Sequence, residues 1–316
     1  MNPSRRLYSM SLAGAAGGLA AWGITLLIAA LIGSNSAAWL PDFIAAAALG
    51  ALVGGFTLAF GDRAAGEGVR TGLVAKGVGV GVAFGIIAGL LQIPISQSLS
   101  AQAPTLSRIF SWMITGALIG LGLGLIWVMV NRARMPYAFT GGLIGGVLGG
   151  LVFGGLAASV PGLFQALAFI LAGAGVCFGI GLAPMLLRFG TLLFVSSGDA
   201  RAQSKLGRPR KEWELEQGNS YVIGSASPDP GASSRFDNQL FIPDTGIAPR
   251  HAIVFWRGGR FYIARHAEVS NPAGLARFVL RVRGKNVSSR EELRNADDVL
   301  VGRTALKFVS RTVESR

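Results

Sequence analysis

Charge is what the first two hundred residues of this chain lack. Only 14% of its 316 residues are Asp, Glu, Lys or Arg, against roughly 25% in ordinary soluble domains. The deficit is uneven. Residues 1–200 hold nine Lys or Arg and four Asp or Glu, whereas residues 201–316 hold twenty and twelve. Cysteine is nearly absent as well. The single Cys177 excludes an intrachain disulfide, and its place in an apolar run fits small-residue packing. His251 and His266 are the only histidines; with no cysteine near them they make no zinc ligand set. No glycine row leads into a Gly-Lys-Ser/Thr turn, so phosphate loops are excluded. No carboxylate pair has acid/base spacing. Neither metal, cofactor nor catalytic residue is expected, and the chain reads as non-enzymatic.

Apolar length is abundant instead. Uncharged stretches run over 7–41, 43–61, 77–107, 109–131 and 135–187, and about 20 apolar residues span a hydrocarbon core. The pattern predicts six transmembrane helices at roughly 8–33, 39–61, 70–93, 108–131, 136–159 and 162–187. A soluble core is disfavoured because no polar face recurs along them. Arg5 and Arg6 before an apolar run, then SNSAA at 34–38, resemble a signal peptide, but the run is long for one. Arg5, Arg6, Arg63, Arg70, Lys76, Arg132, Arg134 and Arg188 flank one side of the expected bundle, and only Arg108 the other. The positive-inside rule then puts both termini in the cytoplasm of a cell (inner) membrane, multi-pass.

Small residues recur within the spans. GALVG at 50–54 returns as GALIG at 116–120 and, more weakly, as GAGVC at 173–177, suggesting a helix pair used three times. Helix three carries Gly77, Gly81, Gly85 and Gly89; helix five carries Gly142, Gly146, Gly150 and Gly154. Residues four apart share a helix face, and a row of glycines lets a neighbouring backbone come close. A tightly packed, glycine-zipper-like bundle follows, with self-association between copies left open. A transport path along the repeat is the sharper alternative. The candidates for an ionisable group on such a path are Lys76 and uncharged Gln165, with no buried carboxylate, which disfavours a proton- or sodium-coupled transporter.

Beyond the spans, residues 201–211 carry five basic side chains and no acidic one. This reads as a juxtamembrane linker with affinity for anionic lipid. That concentration favours a membrane surface over nucleic acid. From about residue 212 short runs rich in Val, Ile, Phe and Tyr appear: 220–224, 239–242, 251–256, 260–265, 277–283, 298–302 and 305–309. Turn residues separate most of them, as in a β-sandwich or barrel. Gly258-Gly259 in WRGGRF fits a hairpin turn.

The order of these pieces resembles a forkhead-associated (FHA) domain, over residues 219–312. YVIGS (221–225) is similar to the strand that ends in Gly-Arg, and DNQLFIPDTGIAPRHAIV (237–254) to the stretch ending in Ser-Arg-x-His-Ala. SNPAG (270–274) stands at the Ser-x-Asn-Gly region. VRGKNV (282–287) resembles the Val-Asn-Gly turn and LRNADDVLVGRTALKF (294–308) the closing strand pair. The resemblance implies a β-sandwich that binds phosphothreonine peptides. Phosphate would be held at Ser225 and Ala248, where the family has Arg and Ser, with Asn271 fixing the peptide, while Gly224 and His251 shape the loop. The replacements disable the usual phosphate contacts, since a dianionic phosphate needs Arg and hydroxyl or N–H donors. Arg250 and Arg235 are the candidates to replace them.

The expected organisation is therefore a six-helix transmembrane domain at 1–190, a basic linker at 191–215 and a cytosolic FHA-like β-sandwich at 216–316. The expected role is recruiting or sensing a cytosolic protein, phosphorylated on threonine or not, through a degenerate site. The alternative is a channel or transporter component that the FHA-like domain regulates.

Overall fold

A computed structural model of the chain describes residues 3–32, 39–64, 69, 71–128, 131–156, 161–226 and 239–311. It divides into two compact units, Met1–Leu186 and Leu187–Arg316. The first consists of helices α1 (Pro3–Ile32), α2 (Leu40–Ala64), α3 (Thr71–Leu99), α4 (Pro104–Val128), α5 (Met135–Leu156) and α6 (Pro161–Leu187). All six are long and apolar enough to cross a membrane, and the chain is a membrane protein. Proline opens α4 and α6, at the helix position where its missing N–H costs nothing. Helix α3 runs six residues beyond the expected end at 93, straight through Pro94. Pro is tolerated within transmembrane helices because neighbouring helices and local adjustments satisfy the freed carbonyl.

The helices meet backbone to backbone. A methyl group on Gly50 of α2 would overlap the carbonyl oxygen of Gly81 in α3, and one on Gly116 of α4 would overlap that of Gly142 in α5. Gly77 and Gly85 also face α2, at Gly54 and Ala46. Gly146, Gly150 and Gly154 face α4, at Trp112, Ile109 and Thr105. Helix α6 meets α1 in the same way, Gly173 against Gly14, with buried Cys177 alongside. Without side chains between them, more of each helix surface comes within van der Waals range, which is the main attraction available between helices in lipid.

The second unit is a two-sheet β-sandwich. Its strands are β1 (Arg188–Ser197), β2 (Glu212–Glu216), β3 (Ser220–Gly224), β4 (Gln239–Phe241), β5 (Ala252–Arg257), β6 (Arg260–Arg265), β7 (Leu280–Val282), β8 (Lys285–Asn286), β9 (Arg290–Leu293), β10 (Asp298–Val301) and β11 (Thr304–Ser310). Sheet one has the order β2-β1-β11-β10-β7-β8, and sheet two β4-β3-β5-β6-β9. Among the described strands only the β3–β4 pair is parallel. Gly258 and Gly259, both with positive φ, close the β5–β6 hairpin. Leu192, Phe194, Leu215, Ile223, Val254, Phe261, Leu306 and Phe308 lie in the core.

The linker expected at 191–215 does not exist as such. Strand β1 begins at the residue after α6 and pairs with both β2 and β11. Residues 200–207 form helix α7, capped by Asp199. Glu212 and Glu214 of β2 are exposed, and Trp213 and Leu215 buried. Arg201, Lys205, Arg208, Arg210 and Lys211 are exposed on or just after α7. The basic run thus belongs to the second folded unit, with its basic side chains exposed.

Two outcomes follow. A soluble fragment of residues 187–316 should unfold cooperatively in urea, whereas residues 216–316 should not. Losing β1 and β2 strips Leu306 and Phe308 of Leu192 and Phe194, at about 1.5–3 kcal/mol per uncovered side chain, a large part of a typical ~5–15 kcal/mol stability. A cooperative transition in the shorter fragment would contradict the assignment of β1 to the core. In the bundle, Gly146→Leu with Gly150→Leu should lower the yield of folded protein in detergent, since overpacking costs about 1–3 kcal/mol per site. An unchanged melting temperature would show that this face meets lipid and not α4.

Candidate functional site

The site expected from the sequence lies where β3 ends and the loop 243–251 runs up to β5. The close approach starts at Gly224. A methyl group there would overlap the carbonyl oxygen of Pro249, so only glycine lets the loop lie on the end of β3. The Ile242 N–H donates to Gly224 O (2.9 Å), and the His251 N–H to Ile223 O (2.8 Å). These bonds fix both ends of the loop.

Two carboxylates hold its middle. Asp244 is buried. Its Oδ1 accepts from the Gly246 N–H at 2.7 Å, and its Oδ2 from the Arg303 N–H at 2.9 Å and Thr304 Oγ1 at 2.8 Å. It thereby ties the loop to the β10–β11 hairpin. Asp199 caps α7 through Oδ1, which accepts from the N–H groups of Arg201 and Ala202. Its Oδ2 accepts from the Thr245 N–H and hydroxyl at 3.1 and 2.8 Å. The Thr245 amide, then its hydroxyl, hold the Asp199 carboxyl down to about 2.

His251 is fully buried beneath the loop. Its Nδ1 accepts from the Ala248 N–H at 3.3 Å, so Nε2 carries the proton and donates to Val279 O at 3.1 Å. The ring packs edge-on against Phe278. Burial, which disfavours the charged form, lowers its pKa to about 4 against the Val279 carbonyl that favours it.

Ser225 and Ala248 come together, but face inward. The Ser225 N–H donates to Ala248 O at 3.0 Å, and its hydroxyl donates to Ile247 O at 2.8 Å. The Ala248 methyl is buried. Backbone donors are committed too. The N–H groups of 244 to 248 and of 251 have the acceptors Ile242 O, Asp199, Asp244 Oδ1, Asp244 O, His251 Nδ1 and Ile223 O. Pro249 has no N–H. Arg250 alone presents an exposed, charged side chain on this loop. Its guanidinium lies 3.8 Å from Glu268, each side chain about half exposed (53% and 50%); such pairs contribute little. Asn271 does not join this group among the described residues. It caps the short helix α8 (Pro272–Arg277), accepting from the Gly274 N–H at 2.6 Å. Arg235 lies outside the described residues. Arg303 was not read from the sequence. It is exposed in the β10–β11 turn with its side chain beside Gly246, and only the tertiary fold brings it to the loop. Among the described residues no cluster of His, Cys, Asp or Glu could hold a metal.

No family model and no curated protein matches the sequence. Among solved structures, the chain is similar to an FHA domain from a study of phosphothreonine-dependent FHA interactions, at 18% identity over 40% of this chain and 99% of that one, with a TM-score of 0.27. It is similar to the FHA domain of a Chlamydia trachomatis protein at 17% identity, over 39% of this chain and 99% of that one, with a TM-score of 0.27. An FHA domain of an Arabidopsis thaliana hypothetical protein shares 13% identity, over 42% of this chain and 92% of that one, with a TM-score of 0.29.

Acidification tests the histidine brace. A histidine that titrates near 6.5 when unfolded and about 4 when folded makes the unfolded state bind more protons in between, so stability falls as pH drops through that window. The 187–316 fragment should lose about 2 kcal/mol between pH 7 and pH 5, measured by urea unfolding. His251→Gln should be less stable at pH 7 and flatter over this range. An unchanged slope in the variant would contradict the brace.

Proposed function

We propose that the protein is a non-enzymatic membrane receptor whose FHA-like sandwich docks a cytosolic protein through the loop face around Arg250, with little or no dependence on phosphate. One observation carries this reading. From 244 to 251 every backbone N–H except that of Arg250 has an internal acceptor or is missing, and Ser225 spends its hydroxyl on Ile247. A dianionic phosphate needs several converging donors. This loop offers it the exposed charges of Arg250 and Arg303 in place of a cradle. The basic flanks of the spans favour an inner-membrane topology with both termini cytoplasmic, and this would put the sandwich among cytosolic partners. The exposed basic side chains of 201–211 favour an anionic lipid surface nearby.

A titration of the 187–316 fragment with a phosphothreonine peptide library and its unphosphorylated twin tests the reading. The parent should bind both alike. Ser225→Arg with Ala248→Ser should make binding phosphate-dependent, by roughly tenfold or more, since hydrogen bonds to charged groups contribute about 1.5–3 kcal/mol. Tight, phosphate-dependent binding by the parent that Arg250→Ala abolishes would overturn the proposal.

A further inference from the structure

One end of the helical bundle holds a cleft of about 70 Å³, lined by Asp42 of α2, Gln92 of α3, Ser111, Trp112 and Thr115 of α4, Phe153 of α5, and Gln165 and Phe169 of α6 among others. A cleft of this volume is small against the roughly 300–1,000 Å³ usual for drug-sized ligands, but it is several times the ~10–15 Å³ that one water needs, so it suits a small headgroup. Polar side chains from four helices converge here. Asp42 and Gln165 lie far apart in the sequence; the fold brings them to one cleft.

The repeat shows what is unusual about this level. Asp42, Arg108 and Gln165 each precede the first glycine of a repeat motif by eight residues: 42 to 50, 108 to 116 and 165 to 173. Gln92 and Phe153 likewise each follow a partner glycine by eleven, 81 to 92 and 142 to 153. The glycine level is alike in all three helix pairs, because backbone contact demands it. Two to three turns away the three pairs differ in charge and polarity. Packing alone does not ask for a carboxylate, a guanidinium and an amide at matching positions.

The geometry points to a binding site for a small organic ammonium group. Asp42 is the one anionic side chain in the lining. Aromatic rings form a wall, with Trp112 edge-on to Phe169 at 5.0 Å and to Phe153 at 6.4 Å. Aromatic faces attract cations, and this wall already holds one: the Arg108 guanidinium lies 4.9 Å from the Phe153 ring centroid. Gln92 donates through its amide nitrogen to Thr115 Oγ1, and Thr115 donates in turn to Ser111 O at 2.8 Å. The Gln92 amide oxygen is thereby left to accept from an N–H donor. A carboxylate, amide oxygens and π faces all attract positive charge; a primary ammonium also donates N–H to the oxygens, whereas a quaternary one offers its charge alone. Arg108 beside the wall, whose charge also acts on Asp42, would engage an anionic group attached to that ammonium. The same chemistry is found in a free amine and in an amine-bearing phospholipid headgroup.

The test uses the full chain in detergent, with tryptophan fluorescence as readout. Ethanolamine and tetramethylammonium should each give a saturable change; glycerol and sodium should not. Asp42→Asn, which keeps the side-chain size, should weaken binding at least about tenfold, and Gln165→Leu should weaken it less. Lys76→Gln, remote from the cleft, should leave it unchanged. Thermal melting of each variant shows that it is folded. In nanodiscs, phosphatidylethanolamine that competes with ethanolamine in the parent but not in Asp42→Asn identifies a lipid source; absence of competition identifies a free amine. No saturable response to either amine in the folded parent, or equal affinity in folded Asp42→Asn, would overturn the site.

Discussion

Direct contact between two backbones, with no side chain between them, is the constraint on which both units of this protein depend. In the bundle it places Gly50 on Gly81, Gly116 on Gly142 and Gly173 on Gly14. Lipid tails provide no hydrophobic drive between helices, so dispersion over closely apposed backbones has to hold them. In the sandwich the same constraint places Gly224 on Pro249. There it fixes a surface loop in place of a helix. A Cβ would be equally disruptive at either kind of site, for the same steric reason.

The consequences for function diverge. Backbone contact in the bundle leaves side chains near one end free to vary, and there Asp42, Gln92 and Gln165 share a cleft. In the sandwich, contact at Gly224 pulls the loop down until its own N–H groups are used up. Asp244 and Asp199 complete the effect from two directions, one from the β10–β11 hairpin and one from the cap of α7. Two buried or partly buried carboxylates are accommodated because each accepts several hydrogen bonds, which offsets the cost of removing charge from water. The result is a loop tied down by internal hydrogen bonds, whose outward chemistry is largely that of Arg250 and Arg303.

Much of this architecture was legible in the sequence, and the exceptions have physical causes. The spans showed as uncharged runs because a bilayer tolerates few charges. Strands β3, β5 and β6 showed as short β-branched and aromatic runs between turns. Strand β1 did not show, because TLLFV follows the last apolar helix after only Arg188, Phe189 and Gly190 and lacks strict alternation of apolar and polar residues. Strand β2 does alternate, Glu212-Trp213-Glu214-Leu215, but it follows a basic run that suggested a linker. Gly224 and His251 stand out through the motif they share. The inward turn of Ser225, the capping role of Asn271 and the approach of Arg303 depend on contacts between distant segments, and single-residue patterns do not encode these.

The central claim is that the donors of the 244–251 loop and of Ser225 are committed inside the protein. Amide hydrogen exchange at single-residue resolution on the 187–316 fragment measures this directly, at neutral pH and without ligand. The Ser225 and Ala248 amides should exchange as slowly as those of the neighbouring strands β3 and β5, with the Arg250 amide much faster. Rapid exchange at Ser225 and Ala248, at the rate of an open loop, would mean that these donors are available to a ligand and would contradict the account.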